Sequence, residues 1–326
     1  MSRRRKITVR VDGSLKLGMG HVMRCRRLAE YLEQHITLSP EILTLSGDEE
    51  IPNPKEYLLR HLATHPANLL VIDCNWADCP EMMESLPAGL PVVSLHEHNF
   101  PILTGVATAI NPSLVEQKPP PGYKLGLTHF QGPDYLILDE QIPDLAKKQR
   151  AEMRNPAEIV ICLGGADPDG YTLRVVDSLA GLTGIRLQVV IGPAFADEAV
   201  IKLPKNTSVI LHGKPSRVAP ILAEADIAIT NAATTMFESI ALGIPTIALP
   251  HNPYETRQAE ICAKAGAAMA VDPQNIEDDV PALIEHLISD RILRQGLSSK
   301  GRSMIDGLGL SRVGNIIIEH LEALTE

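Results

Sequence analysis

Short apolar runs, each closed by a polar turn and separated from the next by a segment of helical periodicity, recur along this chain of 326 residues. That alternation restricts the fold to βαβ units and a parallel sheet. Parallel strands joined by helical crossovers are covered on both faces, so they read as near-continuous Val, Ile and Leu. In the first half, residues 6–10, 41–45, 69–72 and 91–95 are expected as strands, with helices over 22–34 and 80–86. Two further short strands are expected over 107–110 and 135–138, and the proline-rich residues 117–122 as a loop. Residues 141–157 are polar, flanked by Pro143 and Pro156, and predict a linker that is helical over 145–153. The pattern then restarts, with strands over 158–162, 186–191, 209–211, 227–229 and 246–249 and a helix over 171–179. A helical tail covers 281–289, 291–300 and 311–324. Two such halves predict an α/β architecture of two Rossmann-like, doubly wound parallel-sheet domains facing a cleft, over residues 1–145 and 146–326.

Aromatic residues make up only 3%, so both cores must be built from aliphatic side chains. The net charge of −10 argues against a protein that coats nucleic acid by neutralising phosphates. It leaves room for one phosphorylated small molecule held by backbone N–H groups and a helix N-terminus. The basic start, Arg3 to Lys6, lacks the apolar core of a signal peptide, and no run approaches the ~18 apolar residues of a membrane span. A cytoplasmic location is therefore expected. The odd set Cys25, Cys74, Cys79, Cys162 and Cys262 has no paired zinc-ligand spacing, which points to reduced, mostly buried thiols.

In a doubly wound sheet the informative residues follow the strands. The first such stretch holds Arg10, Asp12, Ser14, Gly18, Gly20, His21 and Arg24. Its glycines let a ligand approach the backbone, the helix start offers free N–H groups, and His21 is placed to act as a base or to donate to a phosphate. It is neither a dinucleotide fingerprint, since Arg24 stands where the third glycine belongs, nor a Walker loop. A tight βα turn with a solvent-facing histidine is the plain alternative. A second stretch, Gly164-Gly165-Ala166-Asp167, follows the strand that opens the second half. In the third, Thr234 and Thr235 stand at a helix start suited to a diphosphate, with Glu238 one turn on for ribose hydroxyls. N-capping by a threonine with Glu238 as capping-box partner is the structural alternative there. A polar loop over 250–258 supplies His251 and Asn252.

These stretches, in this order, resemble the pseudaminic-acid-pathway UDP-sugar hydrolases and the related spore-coat polysaccharide proteins, within the glycosyltransferase-B superfamily. The resemblance runs along nearly the whole chain and is strongest from Arg10 to Arg24. It implies hydrolysis of a UDP-activated amino or deoxy sugar, with no cofactor and no metal. His21 would activate water, supported by Asp12 and Arg24. UDP would lie against the second domain, its phosphates near Thr234 and Thr235 and its ribose near Glu238, with Asn252 as a sugar contact. The chain departs from the family pattern at Ala233, usually glycine, at His96-Glu97-His98, usually acidic, and at Asp139, usually arginine. His96 and His98 also allow a metal reading, with Glu97 or Asp73 as further ligands, and Asp73 to Trp76 is another cleft-edge candidate. The alternatives kept open are a glycosyltransferase using the same donor and a non-catalytic nucleotide-sugar-binding protein of a polysaccharide pathway.

Overall fold

The apolar runs form two separate six-stranded sheets, parallel throughout. In this computed structural model, the described residues are 5–12, 20–36, 38–46, 54–73, 79–95, 106–116, 128–149, 152–195 and 208–323. The first sheet contains β1 (Arg5–Asp12), β2 (Leu38–Ser46), β3 (Leu69–Asp73), β4 (Val92–Leu95), β5 (Val106–Asn111) and β6 (Thr128–Gln131), in the order β2-β1-β3-β4-β5-β6. The second contains β7 (Ala157–Cys162), β8 (Ile185–Ile191), β9 (Ser208–Gly213), β10 (Ile227–Asn231), β11 (Thr246–Leu249) and β12 (Met269–Ala270), ordered β12-β11-β10-β7-β8-β9. In each sheet the winding reverses once, between β1 and β3 and between β7 and β10. Crossovers leave those strands in opposite directions, so a crevice opens beyond their carboxyl ends.

Alternation decides what each face buries. In β3, Leu69 and Val71 join a core with Val9 of β1 and with Val22, Cys25, Leu28 and Leu32 of α1 (Gly20–His35). Leu70 and Ile72 join another, with Leu58 and Leu62 of α2 (Pro54–Thr64) and Met82 of α3 (Cys79–Glu84). The spacing 22, 25, 28, 32 is one apolar stripe of a helix. β3 is thus buried on both sides, each large apolar side chain contributing roughly 1.5–3 kcal/mol.

The chain forms two compact units, Met1–Ile137 with Leu308–Glu326, and Leu138–Gly307. The sequence suggested a boundary at 145/146 and a tail lying wholly with the second half. The last helix, α11 (Gly309–Ala323), instead places Leu310, Val313, Ile317 and Leu321 in the β1–α1 core. Its start is pressed onto main chain: a Cβ on Gly309 would lie 2.2 Å from the Leu136 carbonyl oxygen. That packing also explains why 135–138 is no strand. A 3-10 turn over Pro133–Tyr135 leads into buried irregular chain, and Thr128–Gln131 takes the edge position as β6. The linker helix, α4 (Ile142–Lys147), begins earlier than expected because Pro143 sits in its first turn, and it ends at Lys148. Helix α2 was not anticipated, although Pro54, Glu56 and the Leu58/Leu62 pair are ordinary signals for one.

Unit 2 is covered by α5 (Tyr171–Ser178), α6 (Ala219–Leu222), α7 (Thr234–Leu242), α8 (Pro253–Ala265), α9 (Ile276–Ser289) and α10 (Arg291–Met304). Helix α10 brings a cation to the carboxyl end of three others. Arg294 donates to the carbonyls of Leu287 and Ile288 of α9, Lys300 lies over Gly266 after α8, and Arg302 over Gly243 after α7. Positive charge there complements the helix dipoles. No helix of the described residues is long and apolar enough to cross a membrane.

Candidate functional site

In unit 1, His21 and Arg24 lie one turn apart at the start of α1, hence on one face. Both reach Asp73, the last residue of β3 and neighbour of Val11 across the switch point. Arg24 binds that carboxylate as a fork, Nε to Oδ2 at 2.5 Å and Nη2 to Oδ1 at 2.6 Å. His21 Nδ1 meets Oδ1 at 2.7 Å, and the Cys25 thiol donates to Oδ2 at 3.4 Å. Both oxygens are therefore fully engaged. Burial alone would raise the Asp73 carboxyl, but the Arg24 guanidinium and His21 beside it outweigh that and hold it well below the usual carboxylate range. Burial, with Asp73 adding to it, pushes the Cys25 thiol well above its ordinary value, so it stays protonated.

The ring tautomer follows from these partners. Nδ1 also lies 3.0 Å from Arg24 Nη2, which can only donate, whereas the carboxylate can only accept. The shorter contact, to the ionised acceptor, requires the proton on Nδ1. The lone pair of the neutral imidazole is then on Nε2, the arrangement by which a buried carboxylate orients a histidine base. His21's side chain is 32% exposed against 1% for Asp73, so the ring keeps access to solvent while its anchor is sealed.

The other expected residues of this stretch are placed differently. Arg10 and Asp12 pair with each other at 3.6 Å, and Arg10 reaches Met82 of α3, on the sheet face opposite to Val9 and Val11. Asp73 shares parity with Val71, so it points to the α1 side. Gly20 has open space where a Cβ would stand. Ser14 and Gly18 lie outside the described residues, as do His96-Glu97-His98 and residues 74–76. Among the described residues no group of three or more His, Cys, Asp or Glu is placed to hold a metal.

In unit 2, Gly164 has φ +92°, a backbone that favours glycine, and a Cβ there would lie 3.3 Å from Asn231 Nδ2 at the end of β10. Gly192, after β8, closes on the same loop: its Cβ would fall 2.4 Å from the Gly165 carbonyl oxygen and 2.6 Å from that of Gly164. Ala194 N–H donates to the Gly165 carbonyl at 2.8 Å. Gly192→Ala must displace main chain, and we expect a loss near the upper end of about 1–3 kcal/mol. Thermal unfolding checks this, as a midpoint lowered by about 6–10 °C.

Of the helices that follow β7, β10 and β11 at this carboxyl edge, α5 and α8 have their N-termini filled. The Asp167 carboxylate accepts from Tyr171 N–H and Thr172 N–H at 2.9 and 2.8 Å, capping α5 with a negative charge. Asn252 Oδ1 caps α8, accepting from Tyr254 N–H and Glu255 N–H at 3.0 and 2.9 Å, so its oxygen is committed to the helix. Helix α7 differs: its N-cap is Ala233, without a side-chain cap bond. The anticipated threonine cap does not form. Ala233 has φ −131°, so no left-handed backbone asks for glycine there. Among the described residues no side-chain cap bond is made to the first N–H groups of α7. Thr235 bonds the Cys162 thiol, and Glu238 is buried beside that sulfur at 2% exposure. Gln258 of α8 donates to the Ala232 carbonyl at 3.1 Å and fixes the turn before α7. Asn231, 8% exposed, carries an amide oxygen with no hydrogen-bond partner among the described residues. His251 ties the edge together, meeting Asp169 Oδ2 at 2.9 Å and the Leu163 carbonyl at 3.3 Å, and stacking on Tyr171.

Asp139 helps to start α4 by accepting from Gln141 N–H, and it pairs with Arg217 at 3.0 Å. Cys25, Cys162 and Cys262 are free and buried. Burial pushes Cys162 up to about 11 and Cys262 up to about 12. Native protein at pH 8 should therefore leave both unalkylated in a mass-mapped iodoacetamide experiment. The stability they contribute is present below the unfolded thiol value near ~8.5 and is lost as pH rises through the folded values.

No protein-family model matches the chain. It is 25% identical over 327 residues to the spore coat polysaccharide biosynthesis protein SpsG of Bacillus subtilis, covering 94% of this chain and 96% of SpsG. It is 24% identical over 271 residues to the uncharacterized protein MJ1062 of Methanocaldococcus jannaschii, covering 76% of this chain and 56% of that protein. Among solved structures, MurG of Acinetobacter baumannii superposes with a TM-score of 0.65 at 14% identity, over 97% of this chain and 99% of MurG. MnaA of S. aureus, solved with UDP, gives 0.64 at 12% identity, over 99% and 98%. The spinosyn forosaminyltransferase SpnP gives 0.63 at 15% identity, over 99% of both chains. The fold, two parallel α/β sheets of six strands, is that of the glycosyltransferase-B structures.

Proposed function

We propose that this chain is a nucleotide-sugar-dependent enzyme of polysaccharide biosynthesis that transfers the sugar to an acceptor hydroxyl with His21 as general base. The acceptor oxygen attacks the anomeric carbon, its proton passes to His21 Nε2, and the bond to the diphosphate breaks with the electron pair leaving on the diphosphate oxygen. The observation that carries this reading is the His21–Asp73–Arg24 cluster, which keeps Nδ1 protonated and Nε2 available. The open start of α7, with Thr234 and Asn231 nearby, is the part of unit 2 suited to the leaving diphosphate, since fixed N–H donors stabilise charge that develops there. Asp167, at the start of α5, would repel the same anion. Uracil is the base we favour, in keeping with the UDP co-structure of MnaA and the resemblance to UDP-sugar enzymes. The transferases among the solved neighbours and the part SpsG plays in polysaccharide biosynthesis favour a hydroxyl acceptor over water. Hydrolysis, with water in place of the alcohol, is the second reading, supported by the stretch from Arg10 to Arg24.

The experiment is product analysis by mass spectrometry. Purified protein is incubated with UDP-N-acetylglucosamine and UDP-diacetamido-trideoxyhexoses, with and without a bacterial polysaccharide and lipid fraction. UDP released only with that fraction, and the sugar found attached to it, supports transfer. UDP and free sugar without the fraction establish hydrolysis instead. His21→Ala should abolish either turnover while UDP binding by calorimetry persists. Binding without turnover under every condition would sink both readings.

A further inference from the structure

A cavity of about 330 Å³ lies in unit 2 at the amino ends of its strands, bounded by Arg154 ahead of β7, Asp226 ahead of β10 and Pro245 ahead of β11. This is the edge opposite to Gly164 and Thr234, so it plays no part in the site described above. Four arginines line it, Arg154, Arg291, Arg294 and Arg302, against the carboxylates of Glu152 and Asp226. In a chain of net charge −10 that is a local inversion of sign.

The arginines differ in how their charge is met. Arg154 is paired with Glu224 at 2.7 Å and stands 3.5 Å from Asp226, whose other oxygen accepts from Glu158 N–H. Among the described residues Arg291 pairs with Glu152 alone, at 3.8 Å on a side chain 81% exposed, a pair that contributes little. Arg294 is held by two backbone carbonyls at the end of α9, and Arg302 lies over Gly243, where a Cβ would fall 2.5 Å from its Nη1. Among the described residues neither has a carboxylate within ion-pair distance. Backbone carbonyls thus hold the Arg294 guanidinium, and Arg302 is exposed beside Gly243. Planar guanidinium donors lining one cavity without a carboxylate at ion-pair distance are suited to a tetrahedral oxyanion.

We propose that this cavity binds a small phosphorylated molecule through Arg294 and Arg302, at a second site of unit 2. The site is independent of the reading given for the carboxyl edge. It is tested by calorimetric titration of the full chain with glucose 1-phosphate, and with inorganic phosphate and pyrophosphate as sugarless probes, at constant ionic strength. Saturable binding of at least one probe is expected. It should weaken about ten-fold or more in Arg302→Gln, the loss of one charge-assisted contact of ~1.5 kcal/mol or more. It should vanish in the double variant Arg294→Gln/Arg302→Gln and persist in Thr234→Val, which alters only the carboxyl edge. Arg302 is exposed, so the single variant decides the matter should the double variant not fold. The proposal is overturned if the intact protein binds none of the probes saturably, or if Arg302→Gln binds as the native chain does.

Discussion

Asp73→Asn is expected to lower turnover about 10³–10⁴-fold with little change in the KM for the nucleotide sugar. The amide can donate to His21 Nδ1, which then gives up its proton to Nε2, and the base nitrogen is lost with the ring geometry intact. Arg24 meanwhile keeps a buried charge without its carboxylate, at about 3–5 kcal/mol. Steady-state kinetics below the lowered melting point, with turnover normalised to the folded fraction measured by circular dichroism, separates the two effects. Equal turnover in the variant would show that His21 is not oriented by Asp73. The acid limb of stability gives a second readout. Asp73's folded pKa lies below its unfolded value, so its contribution is complete above roughly pH 4 and is lost as pH falls through the depressed value. That part of the acid transition should be missing in Asp73→Asn.

Removing residues 308–326 is expected to unfold unit 1 while leaving unit 2 folded. Leu310, Val313, Ile317 and Leu321 are at most 4% exposed in the β1–α1 core. At roughly 1.5–3 kcal/mol each, their burial amounts to about 6–12 kcal/mol, comparable with the whole stability of a domain. Hydrogen exchange resolved by peptide is the measurement. Protection should collapse in β1, β3 and α1 and survive in β7, β10 and α7. Retained protection in β1 would show that α11 is dispensable.

The strands were legible because both faces of a parallel sheet are apolar, so β3, β7, β10 and β11 read directly from their composition. His21 and Arg24 were legible because glycines before a helix mark a place where backbone meets ligand. Asp73 was named only as a cleft-edge candidate and a possible metal ligand, and its tie to His21 went unread. The two are 52 residues apart, and only the order β1-β3 brings them together. The signal was present: an acid closing the apolar run Leu69 to Ile72, on the strand that follows the reversal of winding. Asn252 was expected to touch sugar, yet its oxygen caps α8. A short polar side chain ahead of a helix serves either purpose, and sequence alone cannot rank them. Gly192 was invisible for a different reason, since its need for glycine is set by the carbonyls of a loop one crossover away.

Because unit 2 is one continuous segment and unit 1 is not, the two have different histories during translation. Leu138–Gly307 is a complete folding unit whose own ends are stapled, Gly307 lying against Ile142. It can close while the chain is still being made. The sheet of unit 1 emerges first but must wait for the last helix, with Val22, Leu28 and Leu32 uncovered on the α11 side for the time it takes to add about 170 residues, roughly 10–30 s. The segment of unit 1 that precedes unit 2 along the chain is thus made before it and finishes folding after it.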